Sequence, residues 1–223
     1  MSIIDHLRSA LIVPVVAIDD AKHAVPLCRA LEAGGLNVVE ITFRTEAACD
    51  AIRAISSELP EFCVGAGTVI RPKEVEQSVA AGAKFAVAPG LNVDIVKQAR
   101  DAGLPFIPGT CTPTDIETAL AAGCKTLKFF PAGAMGGIAT LKALAAPYGH
   151  HGIQFVPTGG VTAANMSEYL AHPNVHAIGG SWLVAKELIA AENWPEITRL
   201  TAEAVAIAQA AVGNSNTKSV RTA

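Results

Sequence analysis

Lys128, in the run Thr126-Leu127-Lys128-Phe129-Phe130-Pro131, is the residue of this chain whose type and setting best suit covalent chemistry. Side chains alternate between the faces of a strand, so Thr126, Lys128 and Phe130 share one face and Leu127 and Phe129 the other. If the apolar pair packs against helices, Lys128 points into the interior. A buried ammonium without a partner is costly, and burial favours the neutral amine. A neutral amine is what attack on a ketone to form a Schiff base requires. The competing reading is a strand-end lysine whose stem lies on apolar surface while its charge reaches solvent.

Glu40 sits in Leu36-Asn37-Val38-Val39-Glu40-Ile41-Thr42 and obeys the same alternation. Val39 and Ile41 suit a helix-facing side, which turns Glu40 inward near the C-terminal end of its strand. An inward carboxylate and an inward amine on different strands form an acid/base pair, or an ion pair that only neutralises itself. Arg44 follows directly and can clamp a carboxylate through two parallel N–H bonds, or stand as a solvated surface arginine. In Gly65-Ala66-Gly67-Thr68-Val69 the glycines let backbone approach a ligand and the Thr68 hydroxyl can donate to it; a plain turn explains the same residues.

Paired glycines recur late in the chain, in Pro157-Thr158-Gly159-Gly160-Val161 and in Ile178-Gly179-Gly180-Ser181-Trp182. Backbone N–H groups freed by glycine can point at an anion, and a helix expected to start near Thr162 would add its dipole. One such pair alone would be a turn; two at corresponding strand ends suggest a phosphate site.

These residues need a scaffold that brings distant strand ends together. Eight short apolar runs read as strands: Leu11–Ile18, Leu36–Thr42, Phe62–Thr68, Phe85–Pro89, Pro105–Gly109, Thr126–Pro131, Gln154–Gly160 and Val175–Gly180. Between them, segments rich in Ala, Leu, Glu and Gln read as helices at Ala21–Ala33, Glu46–Leu59, Pro72–Ala81, Asn92–Ala102, Pro113–Ala122, Gly137–Ala146 and Thr162–Ala171, with a last one at Pro195–Ala211. Gly34, Gly82, Gly103 and Gly123 each follow an alanine at a helix end, where a left-handed residue is expected. Strand–helix units repeated in this way predict a parallel sheet, and eight of them favour a closed (β/α)8 TIM barrel. Ser2–Arg8 is expected as a short N-terminal helix plugging the barrel bottom. An open Rossmann-like sheet is the second choice, weakened because no G-x-G-x-x-G follows the first strand. Residues 1–212 form one domain on this reading, and 213–223 a polar C-terminal tail that frays.

The 223 residues are 51% hydrophobic and 17% charged, which supports a large core and argues against disorder. Net charge is −3 with no Lys/Arg run, so neither nucleic acid nor an anionic membrane is indicated as a partner. The longest apolar run, Leu11–Ile18, contains Pro14 and is too short to span a bilayer. The N-terminus lacks the pattern of a signal peptide, and five cysteines without a C-x-x-C spacing read as reduced thiols of a cytoplasmic protein. His150 and His151 are adjacent, and Pro173 and Asn174 separate His172 from His176, so no metal site is expected.

Taken in order, Glu40-Ile41-Thr42-Phe43-Arg44-Thr45, Gly65-Ala66-Gly67-Thr68-Val69, Lys128-Phe129-Phe130-Pro131, Thr158-Gly159-Gly160 and Gly179-Gly180-Ser181-Trp182 resemble the 2-keto-3-deoxy-6-phosphogluconate (KDPG) and 4-hydroxy-2-oxoglutarate (KHG) aldolases, over nearly the whole chain. The resemblance implies a metal-free class I aldolase without a cofactor, acting through a Schiff base on Lys128, on a (β/α)8 barrel assembled as a homotrimer. It makes Glu40 the general acid/base and gives the substrate carboxylate to Arg44 and Thr68. Pro89 and Phe130 would line the pocket, and Gly159, Gly160, Gly180 and Ser181 would hold phosphate. The expected reaction splits the phosphorylated keto acid KDPG into pyruvate and glyceraldehyde 3-phosphate, with 4-hydroxy-2-oxoglutarate a further substrate. Phe43 replaces a more usual leucine, and the loop Gly109–Asp115 leaves the polyol specificity open, so the galactonate-derived epimer is an alternative. A phosphate-binding barrel of different chemistry, or a phosphosugar binder without catalysis, stands as a further alternative.

Overall fold

A computed structural model describes residues 2–219. Strands and helices alternate along the chain. The strands are β1 Ile12–Val16, β2 Val38–Thr42, β3 Cys63–Gly67, β4 Phe85–Val87, β5 Phe106–Ile107, β6 Gly109–Thr110, β7 Thr126–Phe129, β8 Gln154–Pro157 and β9 Ile178–Gly180. The helices are α1 Ile3–Ala10, α2 Ala24–Ala33, α3 Ala48–Glu58, α4 Pro72–Ala80, α5 Val93–Asp101, α6 Pro113–Ala121, α7 Gly137–Tyr148, α8 Met166–Leu170, α9 Lys186–Ala190 and α10 Trp194–Ser219. All strand pairing is parallel, as crossover helices require.

The strands form a six-stranded sheet, β5-β4-β3-β2-β1-β9, and a three-stranded one, β6-β7-β8. The single strand expected at Pro105–Gly109 is split into β5 and β6 because Pro108 has no N–H for the ladder, although its carbonyl still accepts from the Lys128 N–H at 2.8 Å. Between β8 and β9 the contact is reduced to isolated bridges, Phe155↔Val175 and Thr158↔Gly179. The regular ladder is therefore interrupted on both sides of β6–β8, although hydrogen bonds still cross there: Gly109 N–H donates to the Gly90 carbonyl at 3.1 Å and His176 N–H to the Phe155 carbonyl at 3.0 Å. The strands form a curled parallel sheet whose regular ladder is open at these two places.

Two apolar cores follow from the alternation. Val39, Ile41, Leu127 and Phe129 join the large cluster between strands and helices. Val38, Cys63, Phe85 and Ile107 join Leu7 of α1 in a smaller cluster on the other face of the strands. α1 thus caps the N-terminal ends of the strands, its start fixed by a capping box between Ser2 and Asp5.

Several element boundaries depart from expectation. Strands stop short at their C-terminal ends because Thr68, Gly159 and Gly160 have positive φ. After α2 the left-handed residue is Gly35, at φ 95°, not Gly34. α8 begins at Met166 instead of Thr162, and the short α9 was not foreseen. α10 continues to Ser219, across the tail expected from 213; the remaining part of that tail, 220–223, lies outside the described residues. No helix among the described residues is long and apolar enough to cross a membrane.

Candidate active site

The strand periodicity places Glu40 and Lys128 on the inner face. Their neighbours Val39, Ile41, Leu127 and Phe129 are held by the helix-side core. Glu40 lies in register with Val15 on β1 and Gly65 on β3, and Lys128 with Gly109 on β6 and Val156 on β8. The glycines open the interior. A Cβ on Gly67 would overlap the Glu40 carboxylate, and one on Gly109 would overlap the Pro89 carbonyl. Two large polar side chains from distant strands therefore fit where a filled barrel would carry branched aliphatics.

Lys128 Nζ donates to Glu40 Oε1 at 3.3 Å, with the residues only 5% and 3% exposed. That burial rejects the snorkelling lysine. The Nζ also stands 5.3 Å from the centre of the Phe130 ring, within cation–π range. The contrast with Glu74, the other buried glutamate, is informative. Glu74 accepts from the Ile70 and Arg71 N–H groups at 2.7 and 2.9 Å and from Arg71 Nε at 2.8 Å, so it is consumed in starting α4. Glu40 has no backbone donor of this kind: its hydrogen-bonding partner among the described residues is Lys128.

A cavity of about 150 Å³ is linked to the pair through Phe130, although neither Glu40 nor Lys128 lines it. Arg44, Phe130, Gly159, Gly160, Gly180 and Ser181 all line it, as do Val15 and Thr158, to which the sequence assigned no role. Phe130 joins the two parts of the site, since its ring faces both the lysine amine and this cavity. Arg44 is exposed at the mouth; its Nε donates to Thr42 Oγ1 at 3.0 Å.

The glycine turn at the cavity wall has φ of 86° at Gly159 and 79° at Gly160, a conformation that costs glycine little. The helix N-terminus expected at Thr162 is absent there. The chain nevertheless turns from Thr162, whose carbonyl accepts from the Asn165 and Met166 N–H groups at 3.3 and 3.0 Å; Asn165 Oδ1 accepts from the Thr162 N–H at 2.9 Å and its Nδ2 donates to the Gly160 carbonyl at 3.0 Å, so this side chain ties the glycine turn to the start of α8. Asn165 is a supporting residue that the sequence reading missed; an asparagine three residues after Thr162 was the available signal.

Two expected site residues lie apart from the cavity. Pro89 lines a separate hollow of about 260 Å³ with Val69, Ile70 and Leu91, and its carbonyl stands against Gly109, the register partner of Lys128. Thr68 is half-buried, follows Gly67 directly and has φ 59°, a strained value for a branched residue. A larger hollow of about 610 Å³ at the N-terminal ends of the strands, lined by Ile4, Phe106, Gln154 and His176, contains neither Glu40 nor Lys128. The smaller cavity, by contrast, shares Phe130 with the Lys128 amine. No three His, Cys, Asp or Glu side chains among the described residues are grouped to hold a metal ion.

An enclosed amine beside a carboxylate, next to a cavity with glycine turns and an arginine at its mouth, can bind a keto acid covalently and shuttle its proton. Comparison with known proteins agrees. The profile of the family "KDPG and KHG aldolase" matches residues 3–200. The chain is 48% identical over 205 residues to the 2-dehydro-3-deoxy-phosphogluconate aldolase of Haemophilus influenzae, covering 92% of this chain and 96% of that protein. It is 45% identical over 199 residues to the KHG/KDPG aldolase of Escherichia coli K12, covering 89% and 92%. A crystal structure of KDPG aldolase from Legionella pneumophila, with pyruvate captured as a covalent carbinolamine intermediate, superposes with a TM-score of 0.86 at 39% identity, covering 89% of this chain and 96% of that one.

Proposed function

Since the chain belongs to the KDPG and KHG aldolase family, we propose that it is a class I aldolase that cleaves 2-keto-3-deoxy-6-phosphogluconate to pyruvate and glyceraldehyde 3-phosphate, using Lys128 and no cofactor. The observation that carries this reading is the buried Lys128–Glu40 contact of 3.3 Å. Glu40 accepts a proton from the lysine, and the amine attacks the C2 ketone to give a carbinolamine, the species type captured in the Legionella enzyme. Glu40 returns that proton to the departing hydroxyl, so loss of water leaves an iminium ion, which withdraws electrons from C3, and a Glu40 carboxylate. Glu40 removes the proton of the C4 hydroxyl, the C3–C4 bond breaks, and glyceraldehyde 3-phosphate leaves. The pyruvate enamine on Lys128 takes a proton at C3 from Glu40, and water hydrolyses the imine to free pyruvate. Arg44 and Thr68 hold the substrate carboxylate, so positioning supplies part of the rate. Phe130 lines the pocket and Pro89 backs the strand beside Lys128. Gly159, Gly160, Gly180 and Ser181 take the phosphate, supported by their shared cavity and the glycine turn.

The name of the Escherichia coli relative supports a second substrate, 4-hydroxy-2-oxoglutarate, split to pyruvate and glyoxylate. The phosphate wall makes the phosphorylated substrate the better one. We also infer that the two sheets curl into one eight-stranded barrel, because Pro108 alone separates β5 from β6 and parallel bridges join β8 to β9. A homotrimer and a cytoplasmic location complete the proposal; the five free cysteines support the latter. Supplying KDPG with lactate dehydrogenase and NADH tests the activity: pyruvate release consumes NADH, and an unchanged signal overturns the reading.

A further inference from the structure

We propose that Thr42 is a positioning residue, a hydroxyl that aims the Arg44 guanidinium at the substrate carboxylate; this rests on the aldolase reading above. The Thr42 side chain is 1% exposed, on the inner face of β2 two residues after Glu40. Its Oγ1 donates to the Val16 carbonyl at 2.8 Å and accepts from Arg44 Nε at 3.0 Å. The polarity is forced. A carbonyl can only accept, and a hydroxyl carries one proton, so the Thr42 proton goes to Val16 and its lone pairs face Arg44.

Arg44 has no ion-pair partner among the described residues, and Nε is the one guanidinium nitrogen with a protein hydrogen bond. The two terminal nitrogens are left for a ligand, in the planar fork that matches a carboxylate. An exposed arginine is otherwise a mobile side chain, and ordering it costs binding energy each time a ligand arrives. The Thr42 contact fixes the plane of the fork beforehand, at the wall of the cavity that Phe130 also lines.

The backbone carrying Arg44 is held separately. Phe43 N–H donates to the Gly67 carbonyl at 2.8 Å, and Thr45 Oγ1 donates to the Ile18 carbonyl at 2.6 Å. Removing the Thr42 hydroxyl therefore releases the guanidinium while these two tethers still hold the loop. A role in folding alone and a role in aiming Arg44 predict different kinetics.

The test is Thr42→Val, which keeps the shape and removes the hydroxyl, assayed by pyruvate release. We expect KM for KDPG to rise on the order of tenfold, as for a lost hydrogen bond to a charged group, with a much smaller change in kcat. Thr42→Ser restores the hydroxyl and should restore KM. In an Arg44→Ala background, Thr42→Val should shift KM less than about twofold, because the group it aims is gone. Thr42→Ala makes the same comparison if the valine variant does not fold. An unchanged KM in a folded variant, or a full further rise in the Arg44→Ala background, overturns the proposal while the aldolase reading stands. Absence of pyruvate release by the unmodified protein overturns both.

Discussion

Gly67 makes room for Glu40: a Cβ on residue 67 would fall against Oε1, Cγ and Cδ of the glutamate one strand away. The two residues belong to neighbouring strands in parallel register, where Glu40 pairs with Gly65 and Thr42 with Gly67. The position of the carboxylate is thus set by an absent side chain. Gly67 has no positive φ, so alanine is allowed by its backbone and the cost falls on Glu40. Gly67→Ala should lower kcat by about 10²-fold, the scale of a displacement near 1 Å, while the protein still folds. Steady-state kinetics beside circular dichroism checks this, and unimpaired turnover would mean that the carboxylate can shift freely.

Glu40→Gln keeps the size of the side chain and removes the base. Turnover should fall by roughly 10²–10⁴-fold. The amide can still accept from Lys128, so far-ultraviolet dichroism should match the unmodified protein. Near-normal turnover would remove Glu40 from proton transfer.

The inward placement of Glu40 and Lys128 was legible because strand periodicity depends only on which neighbours are apolar. Val39, Ile41, Leu127 and Phe129 suffice for that inference, and they occupy the helix-side core. The grouping of Arg44, Phe130, Gly159, Gly160, Gly180 and Ser181 needed the resemblance, since no local pattern says which strand ends meet. What stayed hidden was competition between side chains and backbone. Asn165 ties the Thr162 N–H to the Gly160 carbonyl ahead of α8, a local contact that propensity does not foresee. Pro108 interrupts the sheet pairing in a run that otherwise reads as one strand. Thr42 looked like one more inward strand residue until its two oxygen contacts fixed a direction.

Acid should weaken the fold through its histidines. Burial lowers the pKa of His172 and of His176 below the ordinary value, with nearby Lys142 and Arg8 adding to the effect, respectively. Their folded forms therefore hold fewer protons than the unfolded chain as pH falls through the ordinary histidine range. Stability contributed by the neutral rings is present above about pH 6.5 and is lost on acidification toward the lowered values. The melting temperature should drop between about pH 7.5 and pH 5, and His176→Gln should flatten part of that drop. An equally steep drop in the variant would assign the acid sensitivity to other groups.

Borohydride reduction in the presence of pyruvate tests the central claim most directly. The imine, once reduced, becomes a stable secondary amine, and peptide mass spectrometry locates it. The predicted result is a single pyruvate-derived adduct on Lys128, formed with loss of activity and absent from Lys128→Met. An unmodified Lys128, or an adduct spread over surface lysines with Lys128 untouched, would contradict the account.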